Sequence, residues 1–417
     1  MTTRRHGWRG RLGFVLALAL AWSMSGCQSG PPALPDLATA LQRLAESGYR
    51  PQRAYETEAL HDVWSRGELQ LDVSFVAPSS PGEGPFPLLV YLPGLGQSSS
   101  SGALWRRAWA QAGYAVLAVQ PMEWTRRVWA SDLAREGDFQ ALAHKAFSAS
   151  AAAERIEALS FAIGELKRRA SAGAVPYRSA DPSHVVLAGF DLGAQTVALV
   201  AGEASPGLEP KVSGAGVRAV IILSPYPRRD IGAQRTRFAA LSLPALSITG
   251  SEDEDPLGVV NDPALRQQPW RSMPPGGKYL LVLAGGTHAM LAGDGLSDPY
   301  SGQSAGSGDS GDVAQKRRHG GRGRRAGGDT GDQMNLADSA RAPMLLADES
   351  GTGEARGRRS DTRASGPRAY DLRQIAAVED VGAAFLDAYV KDAARAREWL
   401  AEDAVHWLGA SATLKVK

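Results

Sequence analysis

The segment His184-Val185-Val186-Leu187-Ala188-Gly189-Phe190-Asp191-Leu192-Gly193 combines an apolar run with two glycines that frame an aspartate. Residues 185–188 are a short apolar run that reads as a buried strand. Residues 194–201 read as a helix, and the turn between the two carries glycine on both sides of Phe190-Asp191-Leu192. Strand, tight turn and helix form the layout of a nucleophile elbow, G-x-S-x-G, whose central side chain is pushed outward into a site. Glycine is needed on both sides because a Cβ would collide where strand and helix nearly touch. The central residue here is aspartate instead of serine.

Working outward, apolar runs alternate with helical patterns. Residues 68–76 alternate apolar with polar and read as an edge strand, whereas 87–92 form a continuous apolar run suited to a buried one. Pro93-Gly94-Leu95-Gly96-Gln97 and a serine cluster lead into a helix around 104–111, and 114–119 reads as the next strand. In 148–169, Ile156, Leu159, Ile163 and Leu166 share one helical face. Beyond the elbow helix, 217–223, 245–249 and 279–283 read as three more strands. Strands separated by helices predict an α/β fold with a mostly parallel sheet covered on both faces.

From about Leu69 to Met290 the chain resembles an α/β-hydrolase. Its spacing is similar to the compact branch containing platelet-activating-factor acetylhydrolase-like, cutinase-like and dienelactone-hydrolase-like enzymes. The elbow, the Pro93-Gly94-Leu95 turn with its following helix, and Gly113-Tyr114-Ala115-Val116 carry the likeness. It implies an oxyanion hole made by the backbone amides of Leu95 and Leu192. It also implies an α/β-hydrolase fold without a cap domain, because only about 20 residues separate Ser224 from the next strand.

The same resemblance orders the site as nucleophile, acid, histidine. After strand 245–249 comes Gly250-Ser251-Glu252-Asp253-Glu254-Asp255-Pro256. Related hydrolases commonly place the acid three residues after such a glycine, which selects Asp253. Glu252 and Asp255 are rivals, and most of this run reads as a solvated acidic loop. After strand 279–283 comes Gly285-Gly286-Thr287-His288, a glycine-rich loop where this fold places its base. Of the seven histidines, His6 lies in the leader and His319 in a low-complexity tract, while His61, His144, His184 and His406 lack this context.

Serine must lose a proton before attacking, whereas an aspartate is already anionic at neutral pH. Carboxylate attack on a saturated carbon gives an ordinary ester, which His288 could help water to open. Attack on an ester carbonyl would give a higher-energy anhydride. Asp191 therefore favours epoxide, haloalkane or haloacid chemistry, although enzymes of that kind usually carry tryptophan after the aspartate, where Leu192 stands here. Aspartate also tolerates φ > 0, so an Asp191–His288 ion pair in a degenerate site is the competing reading. The expectation is an envelope-anchored hydrolase acting on a small ester-like or related substrate through Asp191, Asp253 and His288. The alternative is a catalytically degenerate α/β-hydrolase serving as a binding protein. No metal or cofactor is implied. Trp124 and Trp129 either line the cleft or belong to the core.

The ends of the chain speak to location. Arg4, Arg5, Arg9 and Arg11 precede an apolar run over 12–22, too short to span a bilayer and the length of a signal peptide's core. Met24-Ser25-Gly26-Cys27 resembles the lipobox of bacterial lipoproteins, and Cys27 is the only cysteine in 417 residues. The implied organisation is a signal peptide over 1–26 and a tether over 27–40, with lipid on Cys27 anchoring the protein to a membrane of the cell envelope. A hydrolase domain over 41–297 follows. Gly, Ser, Asp and Arg dominate 298–367, which reads as a disordered insertion with a basic cluster at 316–325. Ile375, Val378, Val381, Phe385 and Tyr389 resume helical spacing, so 368–417 reads as a C-terminal helix closing the domain. A formal charge of +2 gives no reason to expect nucleic acid, and the oligomeric state is not legible.

Overall fold

A computed structural model describes residues 47–80, 82–209, 216–227, 234–294 and 369–417. The signal, Cys27, the tether over 27–40, and the insertion with its basic cluster lie outside these residues. The described chain belongs to one compact unit. Among the described residues, no helix is long and apolar enough to cross a membrane.

The architecture is α/β, built on a nine-stranded sheet of order β1-β2-β4-β3-β5-β6-β7-β8-β9. The strands are β1 (Thr57–Arg66), β2 (Leu69–Pro78), β3 (Phe86–Leu92), β4 (Ala115–Pro121), β5 (Ala180–Phe190), β6 (Val217–Leu223), β7 (Ala245–Glu252), β8 (Lys278–Thr287) and β9 (Ala412–Val416). From β4 through β8 all neighbours are parallel, while β1, β2 and β9 join antiparallel. The strand expected at the edge, 68–76, is β2 and lies inside the sheet, covered by a β1 hairpin that the sequence reading missed. β1 is largely exposed apart from Trp64, which enters the core, and β2 supplies its hydrogen-bond partners.

Successive side chains of β3 point to opposite faces, and both faces are apolar. Leu89 and Tyr91 join one core with Trp105, Trp109 and Phe385. Leu88, Val90 and Leu92 join the other with Leu159, Ile163 and Val197. Helix α1 (Ala103–Gln111) lies on the first face, and α2 (Phe139–Ala146), α3 (Ala149–Ser171) and α4 (Leu192–Ala201) follow in the chain. Helix α3 starts where the Ser148 hydroxyl accepts from the Ala151 amide at 3.2 Å, and its last turn carries Arg168 and Arg169 against the negative end of the dipole. Ile156, Leu159, Ile163 and Leu166 are buried as their spacing predicts.

The C-terminal segment is more than one helix. It comprises α5 (Ala369–Tyr389), α6 (Ala394–Ala401), α7 (Asp403–Leu408) and the edge strand β9. Asp387 of α5 accepts from the Tyr49 hydroxyl at 2.8 Å and the Tyr114 hydroxyl at 3.0 Å, which ties α5 to the first core.

Candidate active site

The order β4-β3-β5 makes the chain turn outward on opposite sides of β3, so the loops leaving β3 and β5 diverge. Such switch points open a crevice at the carboxyl ends of the strands. Leu95 follows β3 and Asp191 follows β5, which puts both at that crevice.

Asp191 adopts φ 50°, ψ −108° immediately before α4. Holding a non-glycine residue in so sparsely populated a region costs on the order of 1–3 kcal/mol. Both flanking glycines are required by close approach. A Cβ on Gly193 would stand 1.9 Å from the Leu92 carbonyl oxygen, and one on Gly189 would stand 2.4 Å from the Gly193 carbonyl carbon. The Asp191 amide donates to Leu223 O at 3.1 Å, pinning the elbow to the end of β6.

The turn after β3 faces the same carboxylate. Leu95 N donates to Asp191 Oδ2 at 3.2 Å. The turn is held by Gln97, whose Oε1 accepts from Gly94 N at 2.8 Å, and by Gln120, whose Nε2 donates to Gly94 O at 2.8 Å and Trp124 O at 3.2 Å. Gln120 is buried near the end of β4, and a lone amide in that apolar strand was the available signal for its role. The Leu192 amide opens α4 and is among those a helix cannot satisfy internally.

Asp253 and His288 come together as expected. His288 Nδ1 lies 2.9 Å from Asp253 Oδ1, which leaves Nε2 as the nitrogen available for proton transfer. Asp253 is wholly buried and also accepts from Ser224 Oγ and Thr249 Oγ1, each at 2.8 Å. Burial alone would raise its carboxyl pKa, but the His288 hydrogen bond and the Arg266 guanidinium outweigh burial and hold it below the usual range. The rivals are placed otherwise. Glu252 is exposed at the end of β7. Asp255 turns its two oxygens to Leu257 N at 2.8 Å and Val259 N at 3.1 Å. Burial, and then the charge of Asp191, raise the Asp255 carboxyl.

Asp191 and His288 do not form the ion pair of the competing reading. Among the described residues neither a hydrogen bond nor an ion pair joins them, and Phe190 packs against the imidazole with ring centroids 4.8 Å apart. Trp124 is core, clustered with Leu95, Leu142, Phe147 and Leu192. Trp129 is 41 % exposed and lies over Gly96, where a Cβ would meet its ring at 2.4 Å.

Two of the buried arginines, Arg155 and Arg266, lie close to the candidate site and carry no signal in the sequence. Arg155 of α3 lies behind the elbow helix and donates to Thr196 Oγ1 at 2.9 Å, Gln195 Oε1 at 2.7 Å and Ala146 O at 2.6 Å. Burial pushes its guanidinium down to about 9, opposed first by the charge of Asp191. Arg266 lies beside Asp253 and His288. In sequence both look like ordinary surface cations, and only their burial distinguishes them. Among the described residues no cluster of three or more His, Cys, Asp or Glu could hold a metal ion. Compared with protein-family models and with curated proteins, the chain matches none.

Proposed function

We propose that this protein is an α/β-hydrolase-type hydrolase whose nucleophile is the Asp191 carboxylate, acting on a small substrate with an electrophilic saturated carbon. The fold part of the reading is supported by the strand order and by the placement of Asp191, Asp253 and His288 after β5, β7 and β8. The observation that carries the chemistry is the Leu95 amide donating to Asp191 Oδ2 at 3.2 Å. In acyl transfer by serine, a hole donor must face the substrate's carbonyl. With an aspartate nucleophile, the oxyanion forms on the aspartate itself, so the donor must face the carboxylate, as it does here.

One Asp191 oxygen attacks carbon, and the bond to the leaving group breaks with its electron pair departing on that group, as free halide or as an epoxide-derived alkoxide that takes a proton from water. The product is an alkyl ester of Asp191. Water, losing a proton to His288 Nε2, then attacks the Asp191 Cγ. The resulting oxyanion is stabilised by the Leu95 and Leu192 amides, and the imidazolium by Asp253. Collapse expels the alkoxide, which takes the proton from the imidazolium, and Asp191, now with one oxygen from water, releases its remaining proton to solvent and is again a carboxylate. The lipobox over Met24-Ser25-Gly26-Cys27 supports an envelope protein held by lipid on Cys27.

The experiment is a single turnover in heavy-oxygen water with a neutral epoxide or alkyl halide, read by peptide mass. Label in the Asp191 carboxylate, and a trapped adduct in His288→Gln, are expected. A second reading, binding without turnover, is favoured by the near-complete burial of Asp191. It would stand if a broad panel of esters, epoxides and halides gave no adduct, label or turnover.

A further inference from the structure

We propose that Arg266 is a positioning residue for the acid–histidine pair, orienting Asp253 and His288 from behind, with Ser224 as its second point of hold. Arg266 is fully buried and its donors reach three separate stretches of chain. Its Nε donates to the Asp253 carbonyl oxygen at 2.8 Å and lies 3.2 Å from Asp253 Oδ1. Its Nη1 donates to Ser224 O and Pro225 O, each at 3.2 Å. Its Nη2 stands 3.4 Å from His288 Nδ1. One planar fork therefore spans the end of β6, the loop after β7 and the turn after β8, a geometry that Arg can serve and Lys cannot reproduce.

Ser224 completes the arrangement. It sits at φ 52°, next to the Leu223 carbonyl that receives the Asp191 amide. Its Oγ donates to Asp253 Oδ1 and lies 3.0 Å from His288 Nδ1. Asp253 Oδ1 thus faces Ser224, His288 and Arg266, and Oδ2 faces Thr249. Rotating this carboxylate would break every one of those contacts. The groups that can accept from Nδ1 are Asp253 Oδ1 and the Ser224 oxygen, whose own proton goes to Asp253, so Nδ1 carries the proton and Nε2 keeps the lone pair. Arg266, a donor only, acts on this tautomer through the carboxylate it holds in place.

The catalytic consequence rests on the Asp191-nucleophile reading: Arg266 should act on hydrolysis of the adduct and not on its formation. The test has two readouts on the full chain. The first is the low-field proton resonance of His288 Nδ1–H, identified by its loss in His288→Gln. The second is the lifetime of the Asp191 adduct formed with 1,2-epoxyhexane. Both are followed in the parent, Arg266→Lys, Arg266→Gln and Ser224→Ala. In the variants the resonance should shift or vanish into solvent exchange. Adduct hydrolysis should slow about 10- to 100-fold, as for a base displaced by a fraction of an ångström, while alkylation keeps its rate. Should Arg266→Gln not fold, Arg266→Lys and Ser224→Ala carry the comparison. An unchanged resonance and adduct lifetime in folded variants, with only the melting temperature lowered, would overturn the proposal. So would a parent protein with no such resonance. If no adduct forms in any protein, the Asp191 reading falls, and the resonance alone decides the role of Arg266.

Discussion

Replacing Gly193 by alanine tests the elbow most directly. The new methyl would lie 1.9 Å from the Leu92 carbonyl oxygen, 2.5 Å from its carbon and 2.8 Å from its Cβ. A carbon–oxygen contact relaxes only at about 3.3 Å, so the start of α4 and the end of β3 must part by roughly 1.4 Å. The two nearest of those atoms are backbone, so no flexible side chain can swing aside. Overpacking of a well-filled core costs 1–3 kcal/mol, and a backbone clash belongs at the upper end, about 3 kcal/mol. In a domain of this size that lowers Tm by about 5 °C. Leu92 leads straight into the Pro93–Gly96 turn, so the same parting stretches the 3.2 Å bond from Leu95 N to Asp191 beyond hydrogen-bond reach. Loss of one oxyanion donor slows the assisted step on the order of 10²–10³-fold. Denaturant unfolding and adduct lifetime measure the two effects. Gly164→Ala is the control: Gly164 is exposed in α3 with nothing within 4 Å of its added Cβ, so alanine there should stabilise by up to about 1 kcal/mol. If Gly193→Ala unfolds within about 0.5 kcal/mol of the parent, the close approach of strand and helix is wrong.

Three further outcomes are expected. Arg155→Met should destabilise by about 3–5 kcal/mol in denaturant titration, because Ala146 O, Gln195 Oε1 and Thr196 Oγ1 lose a buried donor together; a loss under 1 kcal/mol would mean that the guanidinium is replaceable. The Asp380 carboxyl is pushed up to about 8 by burial and by neighbouring Glu379, so between roughly pH 4 and 8 the folded chain holds a proton that the unfolded chain has released. Stability should therefore fall as pH rises through that window by up to about 1.4 kcal/mol per pH unit for each such group, and Asp380→Asn should make the fall shallower, the part due to Glu379 remaining; parallel curves for parent and variant would contradict it. Cys27→Ala should abolish incorporation of labelled fatty acid and move the protein out of the membrane fraction, and unchanged fractionation would count against the lipobox.

Local pattern carried the architecture. The apolar run of β5, the glycines at 189 and 193 and the spaced leucines and isoleucines of α3 each follow from constraints within a few residues, and those constraints were legible in order along the chain. An acid after β7 and a histidine after β8 were expected from the resemblance, with Glu252, Asp253 and Asp255 left as candidates for the acid. Which neighbours share space was settled by packing. β1 is largely exposed apart from Trp64, and β2 supplies its hydrogen-bond partners. Asp253 and Asp255 are both acids in one loop, yet one faces His288 and the other caps backbone amides. Arg155 and Arg266 are identical in sequence to surface cations, and their burial is set by packing across α4 and across the ends of β6 and β7. Periodicity and turn chemistry act over a few residues and survive in a linear string. Desolvation and charge partnership act through space between residues tens of positions apart, so no window of sequence contains them.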